Sequence, residues 1–203
     1  MNLTICKLTK YYNNQLVFKN IDMIMEAGNV YGLKGDNGSG KSTLFRIIAG
    51  LEKQTFGEVL YNKKKFDNTV QRKITYMHQK PYMMKKTVFK NILYPLTIRN
   101  KIDEKDIKKT YKIMEELDLY KFKDKKAWNL SGGEMQKVSL ARAIIFEPEI
   151  LLMDEPTAHM DKKTVETIEK MVIKRQRKNK MLTAIITHDT KSLDRLFDRV
   201  YYL

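Results

Sequence analysis

One octapeptide, Gly35-Asp36-Asn37-Gly38-Ser39-Gly40-Lys41-Ser42, constrains this chain more than any other stretch. It satisfies the pattern G-x-x-x-x-G-K-[ST], and its surroundings agree with the pattern. An apolar run, Val30 to Leu33, precedes it, and Leu44, Ile47, Ile48 and Leu51 follow at the i, i+3, i+4, i+7 spacing of a helix that buries one face. Strand, glycine-rich loop and helix in that order turn backbone N–H groups inward as a nest. The helix N-terminus adds about half a positive charge aimed at the same point. Such a loop binds phosphates: Lys41 is expected to reach the β- and γ-phosphates of a nucleotide and Ser42 to bind Mg²⁺, with Thr43 beside them.

The rest of the chain predicts an α/β fold with a largely parallel sheet. Leu3, Ile5 and Leu8 mark a first strand, and Ile21, Met23 and Met25 alternate in a second that ends at Ala27-Gly28. Gly57 to Tyr61, Ile74 to Met77, Ile150 to Met153, Thr183 to Thr187 and Val200 to Leu203 read as further strands. A helix is expected over Lys162 to Arg177 behind Asp161, and a short one around Leu193, Leu196 and Phe197. From about Pro81 to Phe146 the texture is helical, with Thr87 as an N-cap and Ile107, Tyr111, Met114 and Leu117 at helical spacing. Strands alternating with helices give a single domain over 1–203, with a core at 1–80 and 148–203 and a helical subdomain over about 81–147.

Two further stretches carry chemistry. Ile150-Leu151-Leu152-Met153-Asp154-Glu155 is a buried strand with acids at its carboxyl end, where open α/β sheets bind ligands. Asp154 is the expected Mg²⁺ partner, and Glu155, pointing to the other side of the strand, is the expected base for an attacking water. Leu130-Ser131-Gly132-Gly133-Glu134-Met135-Gln136 opens a helix with an S-x-x-E capping box. Two glycines in that first turn lower helix propensity by about 1 kcal/mol each, which a purely structural helix start has no reason to accept. They leave bare N–H groups and a hydroxyl facing outward, an anion site with no side chain in the way.

Leu130-Ser131-Gly132-Gly133-Glu134 resembles the LSGGQ signature of the ATP-binding subunits of ABC transporters, and the resemblance extends over almost the whole chain. It implies an ABC ATPase core: a largely parallel sheet, an antiparallel β-subdomain and an inserted helical subdomain. It matches Gln79 to the family's Q-loop glutamine, a ligand of the metal and of the catalytic water, and His188 to the switch histidine at the γ-phosphate. Ala158-His159-Met160-Asp161 matches the D-loop, and Tyr12 resembles the aromatic residue that stacks on adenine, with Tyr11 beside it as the alternative. Glu134 stands where glutamine is usual, and Ala158-His159-Met160 where Ser-Ala-Leu is commoner; neither change removes a phosphate ligand.

The resemblance further implies that ATP and Mg²⁺ are the cofactors and that two subunits, a homodimer or a pseudo-twofold pair, face each other head to tail. ATP on Lys41 and Ser42 of one would be closed by Ser131, Gly132, Gly133 and Glu134 of the other. The implied partners are membrane-spanning permease subunits and an extracytoplasmic solute-binding protein, and the implied place is the cytoplasmic face of the cell membrane. Gln79-Lys80-Pro81 with Thr87-Val88-Phe89-Lys90-Asn91-Ile92 resembles the importers of oxyanions such as tungstate, molybdate or phosphate. No C-terminal regulatory domain is expected after Val200.

Charge supplies the rival reading. The net charge of +15 suits a non-transport ABC ATPase acting on nucleic acid or the ribosome, although lysines interleaved with acids also suit a solvated surface. Such relatives carry two ATPase halves or a long inserted coiled coil, so no nucleic acid is expected here; steep loss of DNA or RNA affinity with salt would show the contrary. Cys6 is the one cysteine and no charged-apolar-small leader opens the chain, which points to a reducing compartment. The longest aliphatic runs are about four residues against the ~20 that a spanning helix needs. Between residues 61 and 90 stand nine Lys or Arg and one acid, Asp67. With Tyr82, Met83, Met84, Val88 and Phe89 close by, this stretch is the expected seat for an acidic helix of a membrane subunit.

Overall fold

Two sheets of opposite character divide the strands of the computed structural model, which describes residues 1–98, 101–157, 160–187 and 193–203. β1 (Leu3–Tyr12) and β2 (Gln15–Met25) form a hairpin across Asn13-Asn14, whose φ values of 45° and 66° are the left-handed pair that a two-residue turn requires and asparagine tolerates. β4 (Phe56–Tyr61) pairs on the other edge of β1, giving an antiparallel sheet in the order β2-β1-β4. The second sheet contains β3 (Val30–Lys34), β5 (Ile74–Met77), β6 (Ile150–Asp154), β7 (Leu182–Ile186) and β8 (Arg199–Tyr202). Its order is β5-β6-β7-β3-β8 and every neighbouring pair is parallel.

β6 and β7 are buried along their whole length, the reason they read as unbroken apolar runs. Successive side chains feed two cores. Ile150 and Leu152 pack with α1 (Lys41–Ile48) and the antiparallel sheet, whereas Leu151 and Met153 pack with α3 (Val88–Thr97), α5 (Gly132–Ile144) and α6 (Lys162–Asn179). α4 (Glu104–Glu116) adds Ile113 and Met114 to the second core. Thr87, Asp103, Ser131 and Asp161 cap α3 to α6 by accepting a hydrogen bond from the backbone N–H three residues on.

The structure adds and trims elements. α2 (Asn68–Gln71), one turn capped by Asp67, was not anticipated. Among the described residues the stretch 81–146 holds three helices, with two 3-10 turns, Tyr120–Phe122 and Ala127–Asn129, between α4 and α5. The short helix expected near Leu193 is a single 3-10 turn, Asp194–Leu196. No helix of the described residues is long and apolar enough to cross a membrane.

Parallel pairing fixes where chemistry can gather. β3, β5 and β6 end at one edge of the sheet, so the loop 35–40, the segment His78-Gln79 and the pair Asp154-Glu155 emerge side by side.

Candidate active site

The loop after β3 is shaped by contacts that exclude side chains. Gly40, the N-cap of α1, has φ 94°, and a Cβ there would lie 2.6 Å from Val17 and 2.8 Å from Phe18. Gly35 has φ 145°, and its Cβ would meet the Leu203 carbonyl at 2.2 Å. Lys41 is buried and donates to the carbonyls of Gly35 (2.9 Å) and Asp36 (2.6 Å) and to Ser39 Oγ (3.4 Å). No acid pairs with it among the described residues. A buried ammonium held by neutral oxygens alone, at a helix N-terminus, leaves positive charge for an anion to neutralise.

A cavity of about 490 Å³ opens on this loop. Its lining includes Asn37, Gly38, Gly40, Lys41, Ser42 and Thr43 of the loop and helix start, Gln79, Asp154 and Glu155 of the strand ends, and Tyr12 of β1. Gly35, Asp36 and Ser39 lie behind the lysine, outside that lining. Tyr12, 42% exposed, faces the cavity, whereas Tyr11 does not line it.

Strand alternation places Glu155 on the face opposite Asp154, and the structure corrects that expectation. Glu155 takes φ 47°, a left-handed conformation costly for a residue with a side chain, while its N–H still donates to the Ile186 carbonyl. The turn brings both carboxyl groups into one cavity, and Gln79 Nε2 donates to Glu155 Oε2 at 2.6 Å.

Two residues of this region escape a reading of the sequence. Tyr76, in β5 beside β6, donates its hydroxyl to Asp154 Oδ2 at 2.8 Å. Burial, together with the Asp154 charge, holds the Tyr76 phenol protonated far above its ordinary range, so it stays a donor. Arg46, one turn beyond Ser42 in α1, donates to Thr43 Oγ1 (3.0 Å) and to the Tyr12 hydroxyl (3.3 Å). A tyrosine one residue before the end of a strand, and an arginine at i+3 from Thr43, were the available signals.

Ser131, Gly132, Gly133 and Glu134 do not line the cavity. Ser131 N–H donates to Glu134 Oε2 (2.8 Å) and Glu134 N–H to Ser131 Oγ (3.4 Å), closing the capping box. Partial burial raises the Glu134 pKa, but these bonds and the charges of Lys125 and Lys121 outweigh it and hold the carboxyl below its usual range. Gly132 and Gly133 have no positive φ, and a Cβ on either would meet nothing within 4 Å. Of the D-loop residues, Asp161 caps α6 and Met160 N–H donates to the Thr157 carbonyl. Ala158, His159 and His188 lie outside the described residues.

The family model for ABC transporters matches residues 18–158. The tungstate uptake system ATP-binding protein of Peptoclostridium acidaminophilum is 40% identical, over 100% of this chain and 94% of its own length. The sulfate/thiosulfate import ATP-binding protein of Escherichia coli (strain K12) is 33% identical over 98% of this chain and 57% of its own length. Among solved structures, a dimeric ATP-binding cassette in a post-hydrolysis state bound to ADP and Pi superposes with a TM-score of 0.90 at 29% identity, covering 99% of this chain and 94% of that one. The cbiO1 protein of Clostridium perfringens, part of the ABC transporter complex cbiONQ, superposes with a TM-score of 0.86 at 28% identity over 98% and 83%. Full-length likeness, the cassette fold and the phosphate-binding loop agree: this chain belongs to the ABC transporter family, as an ATP-binding subunit that hydrolyses ATP to drive transport.

Proposed function

We propose that this chain energises an importer, that its solute is an oxyanion of the tungstate, molybdate or phosphate kind, and that it works as a pair of subunits with ATP between them. The observation that carries the pairing is the emptiness around Gly132 and Gly133: nothing among the described residues requires a glycine at either position. A second subunit's phosphates against the N-terminus of α5 would require both. The likeness to a tungstate uptake protein over nearly the full length of each chain supports the solute. On this reading the subunit would work at the cytoplasmic face of a membrane, with permease subunits and an extracytoplasmic solute-binding protein as partners.

In this reading Lys41 and the N–H groups of Asn37 to Thr43 hold the phosphates, and Tyr12 holds the base. Among the described residues no three His, Cys, Asp or Glu side chains converge on a metal position. Ser42, Asp154 and Gln79 line the same cavity, and a Mg²⁺ ion would rest on them, with phosphate oxygens and water completing the set, a composition that suits this cation. When bound it supplies neutralisation of the charge on the β- and γ-phosphate oxygens. Tyr76 fixes the Asp154 carboxylate, and Gln79 fixes one oxygen of Glu155, which takes the proton of the attacking water. His188 would contact the γ-phosphate.

The permease subunit would dock in the cleft of about 750 Å³ between β5 and the helical segment, lined by Gln79, Tyr82, Tyr94, Pro95, Ile98 and Arg142. This relocates the apolar seat. Val88 is fully buried and Phe89 packs on Tyr111, with ring centroids 5.0 Å apart, so neither is offered to a partner. Arg142 lines the cleft with its pKa lowered by burial, and it pairs with no acid among the described residues, which favours an acidic guest. ATP hydrolysis by the assembled transporter in proteoliposomes tests the solute. Stimulation by tungstate or a like oxyanion is expected, and stimulation by methionine with none by any oxyanion would refute it.

A further inference from the structure

Three side chains outside the phosphate loop, Glu52, Arg46 and Lys10, converge on Tyr12. Glu52, in the turn after α1, accepts from the Tyr12 hydroxyl and from Arg46 Nε (3.0 Å). It also pairs with Lys10 Nζ at 2.8 Å, and Lys10 donates further to the Lys53 carbonyl at 2.8 Å. Arg46 closes the ring of bonds, reaching the Tyr12 hydroxyl and Thr43. The Lys10 ammonium lies 4.6 Å from the Tyr12 ring centroid, and Lys10 is buried and no part of the cavity lining. Burial alone would raise the Glu52 pKa, but bonds from Lys10, Tyr12 and Arg46 hold it below the usual carboxylate range.

We propose that Glu52, with Arg46 and Lys10, is a positioning group for base recognition: it fixes the Tyr12 ring against the cavity and ties it to α1, the helix that carries Lys41 and Ser42. The proposal rests on Tyr12 being the platform for the nucleotide base. A half-exposed tyrosine at the end of a hairpin strand has two side-chain torsions to order on binding. Here they are ordered beforehand by one carboxylate that three donors share, two of them cationic. Because Arg46 bonds both the platform and Thr43, the base and phosphate ends of the site form one frame. The chemistry recognised is a planar aromatic base attached to a polyphosphate, and the group named governs the base alone.

The test measures dissociation constants for ATP and for tripolyphosphate in Mg²⁺ buffer, with wild type, Tyr12→Ala, Tyr12→Phe and Glu52→Gln. Loss of the ring should weaken ATP about 10- to 100-fold, the range of stacking on an aromatic residue. Glu52→Gln and Tyr12→Phe should each weaken ATP about 3- to 10-fold, as loss of one charge-assisted hydrogen bond does. A Tyr12→Phe/Glu52→Gln double variant should be no worse than about twofold beyond either single one, since both cut the same tether. Tripolyphosphate should bind all four within about twofold, because its grip lies on the loop. If Tyr12→Ala weakens ATP while Tyr12→Phe and Glu52→Gln do not, the positioning role is overturned and the platform stands. Equal weakening of ATP and tripolyphosphate by Glu52→Gln would overturn it too, showing a general loosening of α1. An unchanged ATP affinity in Tyr12→Ala removes the platform itself.

Discussion

The glycines at 35–40 and those at 132–133 answer to different masters. Gly40 is held at φ 94° with Val17 and Phe18 where a Cβ would be, and Gly35 stands against the Leu203 carbonyl. Their reasons lie inside this chain. Gly132 and Gly133 sit in ordinary helical geometry with open space around them, and their helix would be firmer with alanine. The difference teaches that a site can be divided between a half whose shape the fold enforces and a half whose shape only a partner enforces.

The largest effects should come from charge. Lys41→Ala removes the buried ammonium and is expected to abolish nucleotide binding, whereas Ser131→Arg should spare binding and abolish hydrolysis; equilibrium binding beside a phosphate-release assay separates them. Loss of ATP binding in Ser131→Arg would collapse the two halves into one. Next, Glu155→Gln keeps the shape but cannot take a proton, so turnover should fall ~10²- to 10⁴-fold with binding intact. Size-exclusion chromatography with ATP and Mg²⁺ should show this variant as a lasting dimer; a monomer with wild-type turnover would remove Glu155 from catalysis.

Smaller effects sharpen the glycine contrast. Gly40→Ala should lower stability by about 1–3 kcal/mol in denaturant melts, because the residue meets both a left-handed backbone and packed neighbours. Gly132→Ala and Gly133→Ala should leave stability unchanged or raise it by up to ~1 kcal/mol while hydrolysis falls. If they lose stability as Gly40→Ala does, the open face is not open. Last, Tyr76→Phe should raise the Mg²⁺ concentration needed for half-maximal nucleotide-dependent protection by a few-fold, about the worth of one hydrogen bond to a charged group. Unchanged Mg²⁺ dependence would make Tyr76 a packing residue only.

What the sequence shows and what it hides follow from range. The phosphate loop, the buried β6 run and the capped start of α5 are local patterns of a few residues, each with its own chemistry, and their positions could be read directly. The Tyr76 to Asp154 bond joins residues 78 apart and depends on the parallel register that sets Ile74 opposite Ile150. Glu52, Arg46 and Tyr12 meet only because β1 ends beside α1, which no periodicity reports. The Glu155 orientation was misread because alternation holds only while the backbone stays extended, and φ 47° ends it. α2 is too short for any repeat to mark, although Asp67 was its available cap signal.

The central claim is that one chain holds half of each site, and mixing measures it. Lys41→Ala and Ser131→Arg proteins, each inactive alone, would form heterodimers in which one composite site has an intact loop and an intact α5 start. Random pairing in an equal mixture should restore about a quarter of the wild-type rate, if each composite site works independently. No recovery at any ratio, with heterodimers shown to be present, would contradict the account.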